Sequence, residues 1–162
     1  MRIAFEQSLF QNEALSATLM CVAVKAYYDQ TEQRHGMPFF LSLLVLPLAY
    51  HRETATILAA KQRPSILPKA LAKDRDLPLG VQERMEKMSD MSMAALRLAM
   101  RSGCLSIDDD GKDLELIPVG RLPTTNFLSH DAKLMNRAAR AIGYAFTEVT
   151  LPQLGEFLLV RL

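Results

Sequence analysis

From residue 38 to residue 50 the chain reads PFFLSLLVLPLAY, with Ser42 as its one polar interruption. A bilayer span needs about 20 apolar residues, so this run is too short to cross a membrane. It reads instead as a helix buried in the middle of a core. Pro38 suits the first turn of that helix, where a missing N–H costs nothing. Pro47 should end or kink it near Leu46.

The flanking pattern is helical on both sides. Residues 1–10 are short and mixed and read as an extended arm. A helix then starts near Asn12, a good cap, with Glu13 placed well for the helix dipole. Leu15, Leu19, Val22 and Ala26 recur at helical spacing, and Met20, Val24, Tyr27 and Tyr28 widen the apolar face nearly all round. A helix apolar on all sides belongs in the interior. It ends in the polar stretch 29–36.

After the apolar run, Thr54 is placed to cap a small helix. Pro64, Pro68 and Pro78 then punctuate the chain, with Ser65 able to cap a short helix through Leu71 and a loop at 74–78. The segment 64–78 is the natural place for a boundary between two subdomains. A long helix follows over residues 79–102, with Val81, Met85, Met88, Met91, Ala95 and Leu98 as its apolar stripe. Gly103 stops it. Cys104 to Ile107 alternates as a strand, Asp108-Asp109-Asp110-Gly111 signals a turn, and Leu114 to Pro118 returns. Ser129 caps a helix through Phe146. Thr150-Leu151-Pro152-Gln153 matches a capping box and opens a short helix over 151–158, which Gly155 weakens.

These elements define a mainly α (α+β) protein: a helical domain with a winged-helix-like β-hairpin. Residues 1–162 read as one compact domain, or as tandem winged-helix-like halves meeting near 64–78.

Composition narrows the classes. Hydrophobic residues make up 49% and charged residues 23%, which supports a packed core and argues against disorder. The formal net charge is +1, so nothing pulls the whole chain toward nucleic acid or membrane. The start lacks a signal-peptide pattern. Cys21 and Cys104 lie far apart in sequence among apolar residues and read as free buried thiols. That fits a reducing cytoplasm.

No constellation announces catalysis. His35, His51 and His130 are scattered, and neither CxxC nor HxxxH occurs. The Asp108–Asp110 run lacks the spacing of a calcium loop. No phosphate-binding glycine motif and no G-x-S-x-G are present. No catalytic residue, metal, cofactor or small-molecule substrate is therefore expected.

Two basic sets are candidate nucleic-acid contacts: Arg97 with Arg101, and Lys133 with Arg137 and Arg140. A solvated helix face is the plainer reading of both. A DNA-binding winged helix would also need a wing that tolerates phosphate. This one carries Asp108, Asp109, Asp110, Asp113 and Glu115 against Lys112, which phosphate repels. The apolar end of the chain is the other candidate surface. Phe157, Leu159 and Leu162 are either buried at home or offered to a partner.

Several of these residues together resemble a known family. They are the Asn12-initiated helix ending in Tyr27-Tyr28, Gly36-Met37-Pro38, and the run LLVLPLAYHRET. To these are added the helix from Met91 to Gly103 with its following strand, the Arg137–Gly143 segment and the terminal TLPQLGEFLLVRL. The pattern is similar to the small middle component of bacterial three-component ABC systems, conflict or defence operons that include the Lamassu type. The most specific part is Leu46, Pro47, Leu48, His51 and Arg52. The resemblance implies a cytoplasmic, non-enzymatic adaptor. It would accompany an ABC ATPase of the SMC or Rad50 kind and an effector, often a nuclease, and meet DNA through the complex. A winged-helix DNA-binding regulator is the alternative.

Overall fold

The computed structural model describes residues 2–60, 76, 78–109, 113–123 and 129–161, with side chains from residue 13 onward. Helix α1 runs from Arg2 to Gln30. Residues 2–10 thus continue the helix instead of forming an extended arm, and Asn12 sits inside it, not at its cap. The reason is local: no Gly or Pro occurs before Gly36, and Ala, Glu, Gln and Leu propagate a helix readily. From Leu19 to Val24 every residue of α1 is buried, as its all-round apolar pattern requires. The helix closes through Gln33 N–H donating to the Tyr28 carbonyl (2.8 Å), with Glu32 and Gln33 in left-handed backbone.

The apolar run forms three pieces where one helix is expected. Strand β1 is Met37–Pro38, α2 is Phe39–Ser42 and α3 is Val45–Ala49. Pro47 does not end a helix. It occupies the first turn of α3, where its missing N–H has no bond to lose. The chain breaks before it, at Leu43 and Leu44, whose N–H groups reach back only three residues. Ser42 assists by donating its hydroxyl to the Phe39 carbonyl. All five residues of α3 are buried, so the central placement of the run holds although its helix does not.

Helix α4 spans Arg52–Ala60. It begins before Thr54, which is buried one turn inside with its hydroxyl 2.7 Å from His51 Nδ1. The short helix expected over 65–71 lies outside the described residues. The long helix expected over 79–102 is two: α5, Val81–Lys87, and α6, Ser89–Arg101. Met88 separates them at φ −99° and ψ 4°. Ser89 donates to the Glu86 carbonyl at 3.0 Å, diverting the backbone at the join. The break rotates the buried face. Ser92, Ala95, Leu96 and Ala99 turn inward, while Met85, Met88, Met91 and Leu98 flank the core half-buried. Small side chains on this face let α6 settle closely on α1.

Gly103 stops α6 as expected, at φ 74°. Strands β2, Leu105–Asp109, and β3, Leu114–Pro118, form the expected hairpin, with Ile107 opposite Leu116. Strand β1 adds antiparallel to β3, Met37 opposite Leu116, giving the order β1-β3-β2. Two paired residues are too few for an alternating pattern, so this strand left no sequence signal. Gly36 enters β1 so close to β3 that a Cβ there would stand 2.6 Å from the Leu116 carbonyl oxygen.

Helix α7, His130–Phe146, packs along α1 and covers α3 and α4. Ser129 caps it, accepting from Ala132 N–H at 3.2 Å. Helix α8, Leu151–Leu158, starts in a complete capping box: Gln153 N–H donates to Thr150 Oγ1 (3.3 Å) and Thr150 N–H to Gln153 Oε1 (3.0 Å). Thr150→Ala should remove about 1 kcal/mol of stability, read as a lower urea midpoint at unchanged slope. An unchanged midpoint would show that the box does not bear on folding.

Candidate functional site

The end of the chain divides its apolar side chains between core and surface. Leu154, Leu158 and Val160 are buried, Phe157 is half-buried, and Leu159 is 60% exposed. Leu159 takes left-handed backbone at the end of α8. The next N–H, from Val160, then folds back to the Gly155 carbonyl at 3.0 Å. Gly155 is accommodated because of this fold: a Cβ there would press on the Val160 carbonyl oxygen at 3.0 Å. Arg161 N–H continues to Gln82 Oε1 on α5, also at 3.0 Å. Of the three candidate interface residues, Leu159 therefore faces outward, Phe157 partly, and Leu162 lies outside the described residues.

Beside this tail lies an open groove of about 670 Å³ lined by Phe40, Leu151, Pro152, Gly155, Glu156 and Val160. Phe40 is 60% exposed, although it belongs to the apolar run. Helix α2 has only four residues, and one turn cannot bury every side chain it carries. The groove's wall was hidden in the sequence because Phe40 and Val160 are far apart along the chain. Its signal was the density of apolar residues at both places.

The basic candidates are exposed and dispersed. Arg97 and Arg101 lie on the outer face of α6, and Lys133, Arg137 and Arg140 on that of α7. Helices α6 and α7 pack chiefly on α1, not on each other. Arg101 stands in the last turn of α6 and Asp90 in its first, the placement that complements a helix dipole. Arg140 borders a shallow basin with Val22, Tyr144 and the Lys25–Asp29 pair, which bond at 2.6 Å. A carboxylate in that basin offsets the attraction it would hold for phosphate.

The polar interior is equally dispersed. Ser16 Oγ and Tyr50 Oη share a bond of 2.7 Å. His51 meets Thr54, and burial together with nearby Arg84 holds its pKa below the usual imidazole range against the pull of Glu53. Three buried polar atoms, Arg84 Nη2, Ser92 Oγ and Asn136 Oδ1, have no hydrogen-bond partner among the described residues. They belong to three different helices. No group of three His, Cys, Asp or Glu among the described residues could hold a metal. Cys21 and Cys104 are both buried and free. Though far apart in sequence, their thiols are neighbours, and burial with the adjacent Cys104 pushes the Cys21 thiol up to about 12. A thiol that resists ionisation is a poor nucleophile.

The family comparison decides what this arrangement belongs to. The model of the ABC-three component (ABC-3C) system Middle Component 3 family matches residues 2–162. The chain belongs to that family. No curated protein and no solved structure gives a match. That family belongs to multi-component systems, which implies partner components. No helix among the described residues is long and apolar enough to cross a membrane.

Proposed function

We propose that this middle component is a non-enzymatic adaptor that joins an SMC-like ABC ATPase to an effector, often a nuclease, in a cytoplasmic bacterial defence complex. The observation that carries the reading is the family match over residues 2–162. The uncovered groove at Phe40, Leu151 and Val160 supports it, since exposed apolar patches mark interaction sites. The sheet order β1-β3-β2, with a helix leading into the hairpin, supports a winged-helix-like architecture for the adaptor. A DNA-binding regulator is the weaker reading because Asp108, Asp109 and Asp113 are exposed on the wing.

The experiment is a tagged pull-down from the native host with the co-purified proteins identified by mass. Recovery of a long coiled-coil ATPase and a second, larger protein is expected. Recovery of the protein alone, with tight salt-sensitive duplex binding, would promote the regulator instead. Leu159→Asp should weaken the complex and leave the far-UV circular dichroism unchanged, because the side chain points to solvent and Asp tolerates left-handed backbone better than Leu. Loss of the helical signal would return Leu159 to this chain's own core.

A further inference from the structure

We infer that the β2–β3 hairpin is a docking strand for an extended, lysine- or arginine-rich segment of a partner protein. The inference rests on the adaptor reading and names the chemistry of one contact. It starts from the side-chain alternation of the hairpin. Residues opposite each other share a face, so one face carries Leu105, Ile107 and Asp109 against Pro118, Leu116 and Leu114. At the base Leu105 and Leu116 are buried. Toward the tip Ile107 is 41% and Leu114 48% exposed. The apolar stripe therefore runs off the edge of the core and stays uncovered.

Strand β2 is also the outermost strand of the sheet, with β3 on one side and no strand on the other among the described residues. An edge strand with apolar side chains is a template for another strand. Charge selects which strand. Residues 105–118 hold five acidic residues and one lysine, in a chain whose total is +1. Asp108, opposite Glu115, is exposed on the other face of the hairpin, and Asp113 is exposed next to Leu114. A second copy pairing along β2 would set its own acidic side chains against these. Nucleic acid and anionic lipid are repelled for the same reason. An incoming strand that alternates apolar residues with Lys or Arg matches both features. On one face its apolar side chains cover Ile107, and on the other its cations meet Asp108, with Asp113 adding to the acidic field of the hairpin.

The test uses the full chain, labelled with nitrogen-15, and three synthetic eight-residue peptides. One alternates Lys with Val and Leu, one replaces each Lys by Glu, and one replaces each apolar residue by Ser. The first peptide should shift the amides of residues 105–109 and saturate; the other two should not. Asp108→Lys combined with Asp113→Lys should weaken the first peptide by about tenfold or more, and both sites are exposed, so the fold is retained. Equal binding of the Glu peptide, shifts centred elsewhere, or indifference to the double variant would each overturn the inference. The native-host pull-down separates the two ideas. If the ATPase and effector still co-purify while the peptide fails, the hairpin contact is wrong and the adaptor stands. If the peptide binds but neither protein co-purifies, the adaptor reading falls and the hairpin's preference survives.

Discussion

Gly143→Val should destabilise the protein by about 3 kcal/mol or more, and Gly143→Ala by about 1–2 kcal/mol, in urea unfolding. Gly143 lies inside α7 where that helix crosses α1. A Cβ there would run into the Ala23 carbonyl oxygen and stand 2.8 Å from Ala26 Cβ. The obstacle is backbone, which cannot rotate away as a flexible side chain does. Opposing this, alanine is favoured over glycine in a helix by about 1 kcal/mol. The alanine variant therefore measures a difference, while the valine variant adds two methyl groups to the collision. The close approach is general along this crossing. Ala138, Ala139, Ala141 and Ala145 on α7 are buried, as are Ala23 and Ala26 on α1. A Gly143→Ala protein as stable as the parent would show that the two helices can separate without penalty.

Leu46→Ala should be nearly as severe, with a loss of about 3–4 kcal/mol. Leu46 is fully buried in α3, and α3 is in contact with α1, α4, α5 and α7. A cavity at that junction cannot be filled by the movement of one neighbour without loosening another. Total stability for a domain is about 5–15 kcal/mol, so the loss should appear as a plainly lower melting temperature. Phe40→Ala is the internal control. It removes a larger side chain from the same apolar run, but one 60% exposed, and should change stability by no more than about 0.5 kcal/mol. If the two variants were equally harmful, the division of this run between core and groove would be wrong.

What could be read from the residues was mostly what rests on local chemistry. Ser129 caps α7, Thr150 and Gln153 build their reciprocal cap, and Gly103 ends α6. Each outcome is decided within four or five residues. The hairpin and the interior position of α1 followed equally directly from alternation and from a helix apolar all round. Readings failed where two local preferences compete. Pro47 both ends helices and begins them, and only the turn at Leu43 and Leu44 shows that it begins α3. Met88 has ordinary helix propensity, yet Ser89 diverts the chain there. Contacts between distant segments were out of reach in principle. Strand β1 needs β3 to exist, Cys21 needs the fold to meet Cys104, and the groove needs α2 beside α8. The basic residues Arg97, Arg101, Lys133, Arg137 and Arg140 are exposed, and the spacing along each helix says nothing of how α6 and α7 are placed about α1.

Helix α5 is short, yet two side chains near its start hold two parts of the chain that are distant in sequence. Gln82 accepts from the backbone of Arg161 at 3.0 Å, and Arg84 Nε donates to the Pro47 carbonyl at 3.2 Å. One grip is on the strand of tail that borders the groove, the other on the innermost helix. The break at Met88 frees α5 from the stiffness of α6. Moving the tail away from the groove would therefore cost the Gln82 bond, and α5 would then be held to the rest of the fold by its grip on Pro47 without its grip on the tail.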